Sequence, residues 1–203
     1  AAASVLEALG AEPVVDPMLA VEPTGTVPRT DADYAVFTST SGVELLAAAN
    51  WPAGETVVCA IGSSTAAALR EAGYTVDVVP DDYSSAGLVA ALADRVDGAR
   101  VEVARSDHGS DVLPDGLVDA GAYVHETTLY RLVRPAGAGS STDLAARGQL
   151  AGACFTASMT VENFLAAADE RGIRAPAVAG LNDAVVGCIG EPTREAAREA
   201  GFD

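Results

Sequence analysis

The sequence predicts an α/β fold built from two related lobes with parallel sheets, and three observations predict it. The first is an internal duplication. Residues 57–74, VVCAIGSSTAAALREAGY, recur as 185–202, VVGCIGEPTREAAREAGF, an offset of 128 (57 to 185), and Tyr34-Ala-Val-Phe-Thr-Ser-Thr-Ser-Gly-Val-Glu recurs as Gly152-Ala-Cys-Phe-Thr-Ala-Ser-Met-Thr-Val-Glu, an offset of 118 (34 to 152). A weaker pair, Leu9-Gly10-Ala11 and Ala120-Gly121-Ala122, keeps the same order, and ordered self-similarity means repeated structural units. The second observation is the grammar of each unit. A short β-branched or apolar run precedes a Ser/Thr/Gly turn, and an Ala-rich amphipathic segment follows, so strands alternate with helices and the sheets are parallel and covered on both faces. The third is a pair of extended, proline-bounded stretches, Pro17 to Pro23 and Leu129 to Pro135. Two antiparallel strands there make a stiff hinge.

The elements follow in order. Residues 1–9 read as a helix without the strand that should precede it, and Asp203 falls where the repeat puts another strand and helix, so residues are expected to be missing from both ends. Strands are expected at 12–16, 34–37, 56–61, 75–79, 100–104, 122–132, 152–155 and 184–189. Helices are expected at 41–49, 64–72, 85–94, 111–120, 159–170 and 193–200. Ser41 with Glu44 has the capping-box spacing, and Gly73 and Gly201 stop their helices. The terminal lobe takes 1–18 plus 134–203, discontinuous and truncated at both ends. The inserted lobe takes 22–132, and hinge strands lie near 17–23 and 129–135.

Composition excludes several classes. The net charge is −17, from 29 acidic against 12 basic residues, and every basic residue is arginine. Such charge strains a compact state by self-repulsion, which molar salt screens because the Debye length there is about 3 Å. A salt-adapted, haloarchaeal-type protein is the expectation, with an acidic domain awaiting a basic partner as the other reading. No cation cluster is available for phosphate backbones, so no nucleic acid partner is expected. No apolar run approaches a membrane span and no signal-peptide layout opens the chain, so a cytoplasmic, membrane-free location is expected. Cys59, Cys154 and Cys188 all sit in apolar runs and read as small buried hydrophobes without metal or disulfide spacing. A nucleotide-binding glycine loop, a Gly-x-Ser-x-Gly elbow and a metal-spaced cluster are all absent from the sequence.

With these features in place the chain resembles the uroporphyrinogen-III synthase family. The resemblance rests on Phe37-Thr38-Ser39 and Phe155-Thr156 after their strands, and on the two Ile-Gly-x-x-Thr turns. It also rests on Tyr83-Ser84-Ser85-Ala86-Gly87-Leu88, on Arg105 with Leu113 and Gly121-Ala122, and on Leu129-Tyr130-Arg131. It spans essentially the whole chain. Two departures stand out: Glu191 replaces the glycine of a Gly-Pro-Thr turn, and Ala157 replaces the first lobe's serine.

The resemblance implies two flavodoxin-like lobes joined by a two-stranded ladder, with the active site in the cleft and no cofactor. It implies the substrate hydroxymethylbilane, a linear tetrapyrrole with eight carboxylates, handed over from hydroxymethylbilane synthase. The chain is expected to be a monomer, since its two lobes share one chain. Water is lost, ring D is inverted through a spirocyclic intermediate, and the macrocycle closes in haem, sirohaem and cobalamin biosynthesis. A protein this acidic must hold a polyanion locally, and helix N-termini offer free N–H groups with partial positive charge. Thr38, Ser39, Thr40 and Ser41, then Ser63, Ser64 and Thr65, then Ser84, Ser85 and Gly87, with Thr156, Ser158 and Thr193, stand at such ends as candidate substrate contacts, and each is equally read as an ordinary cap. Arg105 is expected either as a forked carboxylate contact or as a surface ion pair. Tyr130 is the candidate general acid, because a neutral phenol can hydrogen-bond the departing hydroxyl; the other reading is a packed hinge aromatic. His108 and His125 are rivals by type. Two further functions compete: a noncatalytic bilobal tetrapyrrole- or anion-binding regulatory domain, and a salvage or transfer enzyme with a phosphate ligand.

Overall fold

β-branched and small apolar runs, each closed by a Ser/Thr/Gly turn, set the order of elements in a computed structural model that describes residues 2–202. That order is α1 (Ala2–Ala8), β1 (Ala20–Pro23), β2 (Tyr34–Phe37), α2 (Thr40–Ala48), β3 (Val57–Ala60), α3 (Ser63–Glu71), α4 (Ser85–Leu92) and β4 (Arg100–Ser106). It continues with α5 (Val112–Asp119), β5 (Tyr123–Val133), α6 (Ser140–Ala146), β6 (Gly152–Phe155), α7 (Ser158–Glu170), α8 (Arg174–Asn182), β7 (Val185–Cys188) and α9 (Glu191–Glu199). The chain divides into two units: Val21–Leu132, and the residues up to Ala20 together with those from Val133 onward.

In the inserted unit, Val21–Leu132, the strands order as β1-β5-β4-β2-β3, and β2 pairs in parallel with both β3 and β4 while β4 pairs in parallel with β5. Period-two alternation sends Ala35 and Phe37 to one face and Val36 to the other, and none of the three has any exposed surface. Phe37 joins Leu46 of α2, Leu69 of α3 and Trp51 in one cluster; Val36 joins Leu88 and Leu92 of α4 with Leu113 and Leu117 of α5 in another. Each large side chain sealed this way contributes about 1.5–3 kcal/mol. From β2 the chain steps outward to β3 and the single bridge at Val78, then returns to β4 and β5 on the other side. The order therefore reverses between β2 and β4. In an open parallel sheet ligands bind beyond the carboxyl ends of the strands at such a reversal.

The terminal unit repeats the theme with a two-stranded parallel sheet, β6 with β7, among the described residues. Its core gathers Phe155, Phe164 and Phe202, with ring centroids 5.6–6.1 Å apart.

Four local expectations need correction. The segment 12–16 forms no strand, because Asp16 instead accepts hydrogen bonds from Gly139 N at 3.0 Å and Ser141 N at 2.7 Å, capping α6 across the chain. Helices α6 and α8 lie outside the expected set. Residues 75–79 supply only the Cys59–Val78 bridge, since the Asp77 carboxylate takes the Val58 N–H at 2.8 Å in place of a ladder carbonyl. Finally, α2 is capped by Ser39, whose oxygen accepts from Gly42 N, and Ser41 lies inside the helix. The stops at Gly73 and Gly201 do form, with φ of 91° and 87° that a side chain would resist.

Candidate active site

The hydroxyls that the sequence singles out in the inserted unit stand where β2 hands over to α2. Thr38 and Ser39 follow the buried Phe37, and Ser39 has the extended backbone of an N-cap. Its Oγ accepts the Gly42 N–H at 3.0 Å, satisfying one of the free donors of the first turn. The same oxygen accepts the Tyr130 hydroxyl at 2.9 Å. Two residues 91 positions apart are thus joined at the switch point.

Tyr130 reaches Ser39 because β5 is irregular. The β4–β5 register shifts between Arg105 and Ser106, so Ser106 faces Tyr130 and Leu129 is the extra residue. An inserted residue rotates the strand beyond it, and Leu129 and Tyr130, although consecutive, both pack into the Phe37 cluster. Thr24 and Thr26 stabilise this bulge: the Thr24 hydroxyl donates to Thr128 O at 2.6 Å, its N–H to Leu129 O at 3.0 Å, and the Thr26 hydroxyl to Thr128 O at 2.6 Å. Asp107 fastens the far side, its N–H donating to Tyr130 O and its Oδ1 accepting Leu132 N at 3.0 Å. A hydrogen bond from His108, opposed by partial burial and helped by the Leu132 N–H, holds the Asp107 carboxyl below its ordinary range. Thr24 and Thr26 escaped the sequence reading because nothing local marks a threonine as the partner of a bulge a hundred residues away.

The candidates fall into distinct environments. Ser63 and Ser64 are exposed at the start of α3, whereas Thr65 is 4% exposed and turned inward. Gly62 packs so closely on Tyr83 that a Cβ would lie 3.2 Å from its ring, which brings the α3 turn beside the Tyr83–Gly87 turn. Ser84 caps α4 by accepting Gly87 N at 3.0 Å and donates to Asp82 at 2.8 Å; Ser85 is half-buried. Gly87 fits against the Asp82 carbonyl, where a Cβ would clash at 2.1 Å. Thr40 is exposed and Ser41 half-buried.

Arg105 is committed elsewhere. It pairs with Glu126, approaches Asp111 at 3.6 Å and donates to Ser110 O at 2.6 Å, with 11% of its side chain exposed. These partners favour the ion-pair reading over the carboxylate fork, on a side chain that is mostly buried and not at the surface. His108 is bound to Asp107 at 2.9 Å near the carboxyl edge. His125 lies near the start of β5, at the opposite edge, hydrogen-bonded to the fully buried Glu102 at 2.8 Å. A hollow of about 530 Å³ opens there beside Arg29, Arg100, Glu102 and Tyr123, and the second Glu102 oxygen is buried with no hydrogen-bond partner.

In the terminal unit Thr156 is exposed and Ser158 half-buried at the start of α7, and Thr193 is 3% exposed inside α9. Ala157 is the N-cap of α7 and Thr160 supplies the local hydroxyl, accepting Ala157 N at 3.4 Å. Glu191, at the first position of α9, is held below its ordinary range by hydrogen bonding to Arg194, against partial desolvation. The expectation of three buried cysteines is corrected: Cys59 is buried, with its thiol pushed up to about 12 by burial, while Cys188 is half-buried and Cys154 exposed. Among the described residues no group of three or more His, Cys, Asp or Glu could hold a metal ion, and no helix is long and apolar enough to cross a membrane.

Comparison with known proteins bears on this geometry. The family model described as Uroporphyrinogen-III synthase HemD matches residues 1–203. A relative from Methanothermobacter thermautotrophicus, carrying a provisional uroporphyrinogen-III synthase assignment, is 33% identical over 179 residues, covering 84% of this chain and 70% of its own length. Crystal structures share the fold. A mutant uroporphyrinogen III synthase from the extremely thermophilic bacterium Thermus thermophilus has a TM-score of 0.62 at 22% identity, covering 99% of this chain and 84% of that one. A uroporphyrinogen-III synthetase from Helicobacter pylori has a TM-score of 0.52 at 14% identity, covering 90% and 88%.

Proposed function

We infer the reaction from membership: the chain belongs to the uroporphyrinogen-III synthase family, and it is a lyase that cyclises hydroxymethylbilane to uroporphyrinogen III with inversion of ring D and loss of water. The observation that carries this reading is the family match along all 203 residues. The geometry supports it through the turn after β2, where Ser39, Tyr130 and the N-terminus of α2 meet at the reversal of strand order.

The chemistry asks for control of geometry more than for strong acid or base. The leaving hydroxyl sits on a methylene carbon attached to an electron-rich pyrrole and departs readily, and unassisted closure gives the uninverted isomer. Holding the chain in the productive fold and excluding water is the main work. Substrate carboxylates are taken by the first turns of α2, α3 and α4, where Thr38, Thr40, Ser63, Ser64 and Ser85 offer hydroxyls and the helices offer N–H groups.

The test is direct. Protein in high salt is given freshly made hydroxymethylbilane, and the oxidised porphyrin isomers are resolved. Predominant isomer III is expected. Predominant isomer I, as in protein-free buffer, overturns the reading.

The proposal extends to setting. The charge of −17 without a single lysine fits a salty cytoplasm, and there the chain works as a monomer receiving substrate from hydroxymethylbilane synthase. Dilution from molar to millimolar salt lowers the thermal midpoint if repulsion is being screened. Equal midpoints contradict salt adaptation.

A further inference from the structure

We propose that Ser39 delivers the proton to the departing hydroxyl, with Tyr130 acting behind it as the positioning residue that resupplies that proton. The inference rests on the synthase reading and adds the order of the groups.

Three observations carry it. Tyr130 is 6% exposed, packed into the Phe37 cluster, and its hydroxyl is directed at Ser39. Ser39 is half-buried and stands at the open end of the sheet, so it is the member of the pair that a substrate can meet. The third is an inventory of lone pairs. A serine hydroxyl has two acceptor sites and one proton. Both acceptor sites are occupied, by Gly42 N at 3.0 Å and Tyr130 O–H at 2.9 Å. The Ser39 proton is therefore left to donate outward.

The step balances. The Ser39 O–H bond breaks as its proton joins the leaving oxygen, and the C–O electron pair departs with water. The pyrrole nitrogen lone pair stabilises the cation that remains. Tyr130 passes its proton to Ser39 Oγ, and the phenolate recovers one when the attacking ring carbon loses its proton after closure. Positive partial charge at the α2 N-terminus steadies the oxygen while it is short of a proton.

The experiment compares variants for steady-state turnover of hydroxymethylbilane at high salt, with circular dichroism confirming fold. Wild-type protein must first make isomer III; if it does not, the synthase reading fails before the relay is addressed. Ser39→Ala is expected to lower kcat about 100-fold with KM within about threefold, the lower range for a general acid. Ser39→Thr restores kcat to within about threefold of wild type. Tyr130→Phe, which leaves Ser39 its own proton, lowers kcat less than about tenfold. If Ser39→Ala does not fold, Ser39→Asn replaces it, since asparagine caps a helix as well as serine does and its amide is no acid. A proton inventory in mixed light and heavy water supplies a readout that a structural role would not move: curved for wild type, linear for Tyr130→Phe. The relay is overturned if Tyr130→Phe costs as much as Ser39→Ala, if Ser39→Ala or Ser39→Asn keeps kcat within about threefold, or if both inventories are linear.

Discussion

The turn after β2 and the turn after β6 descend from the same motif, yet they are built differently. Both follow a buried phenylalanine, Phe37 at 0% and Phe155 at 6% exposed, and both keep the threonine after it. Ser39 corresponds to Ala157, and Gly42 to Thr160, at the shared offset of 118 (39 to 157, 42 to 160). In the inserted unit the cap is a hydroxyl with a second partner, Tyr130. In the terminal unit the cap has no hydroxyl, and Thr160 closes the first turn from within. The glycine shows why. A Cβ on Gly42 would lie 3.2 Å from Ser39 Oγ and 3.3 Å from Leu129 Cδ1, so the approach of β5 leaves a side chain there only by displacing its neighbours a few tenths of an ångström, whereas position 160 holds a threonine. Both copies keep the packing, and only the turn after β2 joins its cap hydroxyl to a tyrosine.

The largest expected effects concern what the copies share. Phe37→Ala and Phe155→Ala should each cost about 3–5 kcal/mol in urea unfolding, because each leaves a cavity in a close-packed cluster. A cost under about 1 kcal/mol at either site, less than core truncations give, means that the repeats are not anchored alike.

Gly42→Ala should separate activity from stability. Alanine favours a helix over glycine by up to about 1 kcal/mol, so the midpoint should hold, while the crowding displaces Ser39 Oγ and Leu129 by a few tenths of an ångström and lowers turnover about tenfold. Thr160→Ala, the counterpart, should leave turnover unchanged. Equal effects erase the distinction between the turns.

Asp16 gives a pH test confined to the terminal unit. Burial raises its carboxyl, but the N–H groups of Gly139 and Ser141 outweigh that and hold it below the ordinary 3.8. A carboxylate depressed by folding stabilises above its unfolded pKa, and the contribution is lost as pH falls through the folded value. Asp16→Ala should therefore cost about 1 kcal/mol at pH 7, the worth of a cap, and nothing once the pH is below the folded value. A cost that persists there marks packing instead.

The smallest effect is chemical. Cys154 is exposed and should react with a thiol reagent in native protein at neutral pH, whereas Cys59, buried with its thiol pushed up to about 12, should react only on unfolding. Simultaneous labelling contradicts the burial of the inserted core.

Most of the frame was legible because it depends on local pattern. Val-Val-Cys-Ala and Tyr-Ala-Val-Phe are too short and too β-branched or aromatic for helices, and their recurrence supplied the duplication. What escaped depends on distant partners. Helix α6 is capped by Asp16 from 123 residues away, the bulge at Leu129 is supported by Thr24 and Thr26, and Asp77 substitutes a side chain for a strand carbonyl. The site was half legible. Ser39 and Tyr130 stood out by residue type and position, but Thr65 and Thr193 face inward, Arg105 is tied to Glu126, and Ser41 yielded the cap to Ser39 two residues earlier. A run such as Thr-Ser-Thr-Ser offers several caps, and only the depth of Phe37 decides among them.

The most direct measurement is the initial rate of uroporphyrinogen III formation by a reciprocal exchange, Ser39→Ala with Ala157→Ser in one chain. It keeps the composition and one serine cap per pair of turns while moving the hydroxyl away from Tyr130. A rate as low as that of Ser39→Ala alone is predicted; a rate equal to wild type would contradict the account.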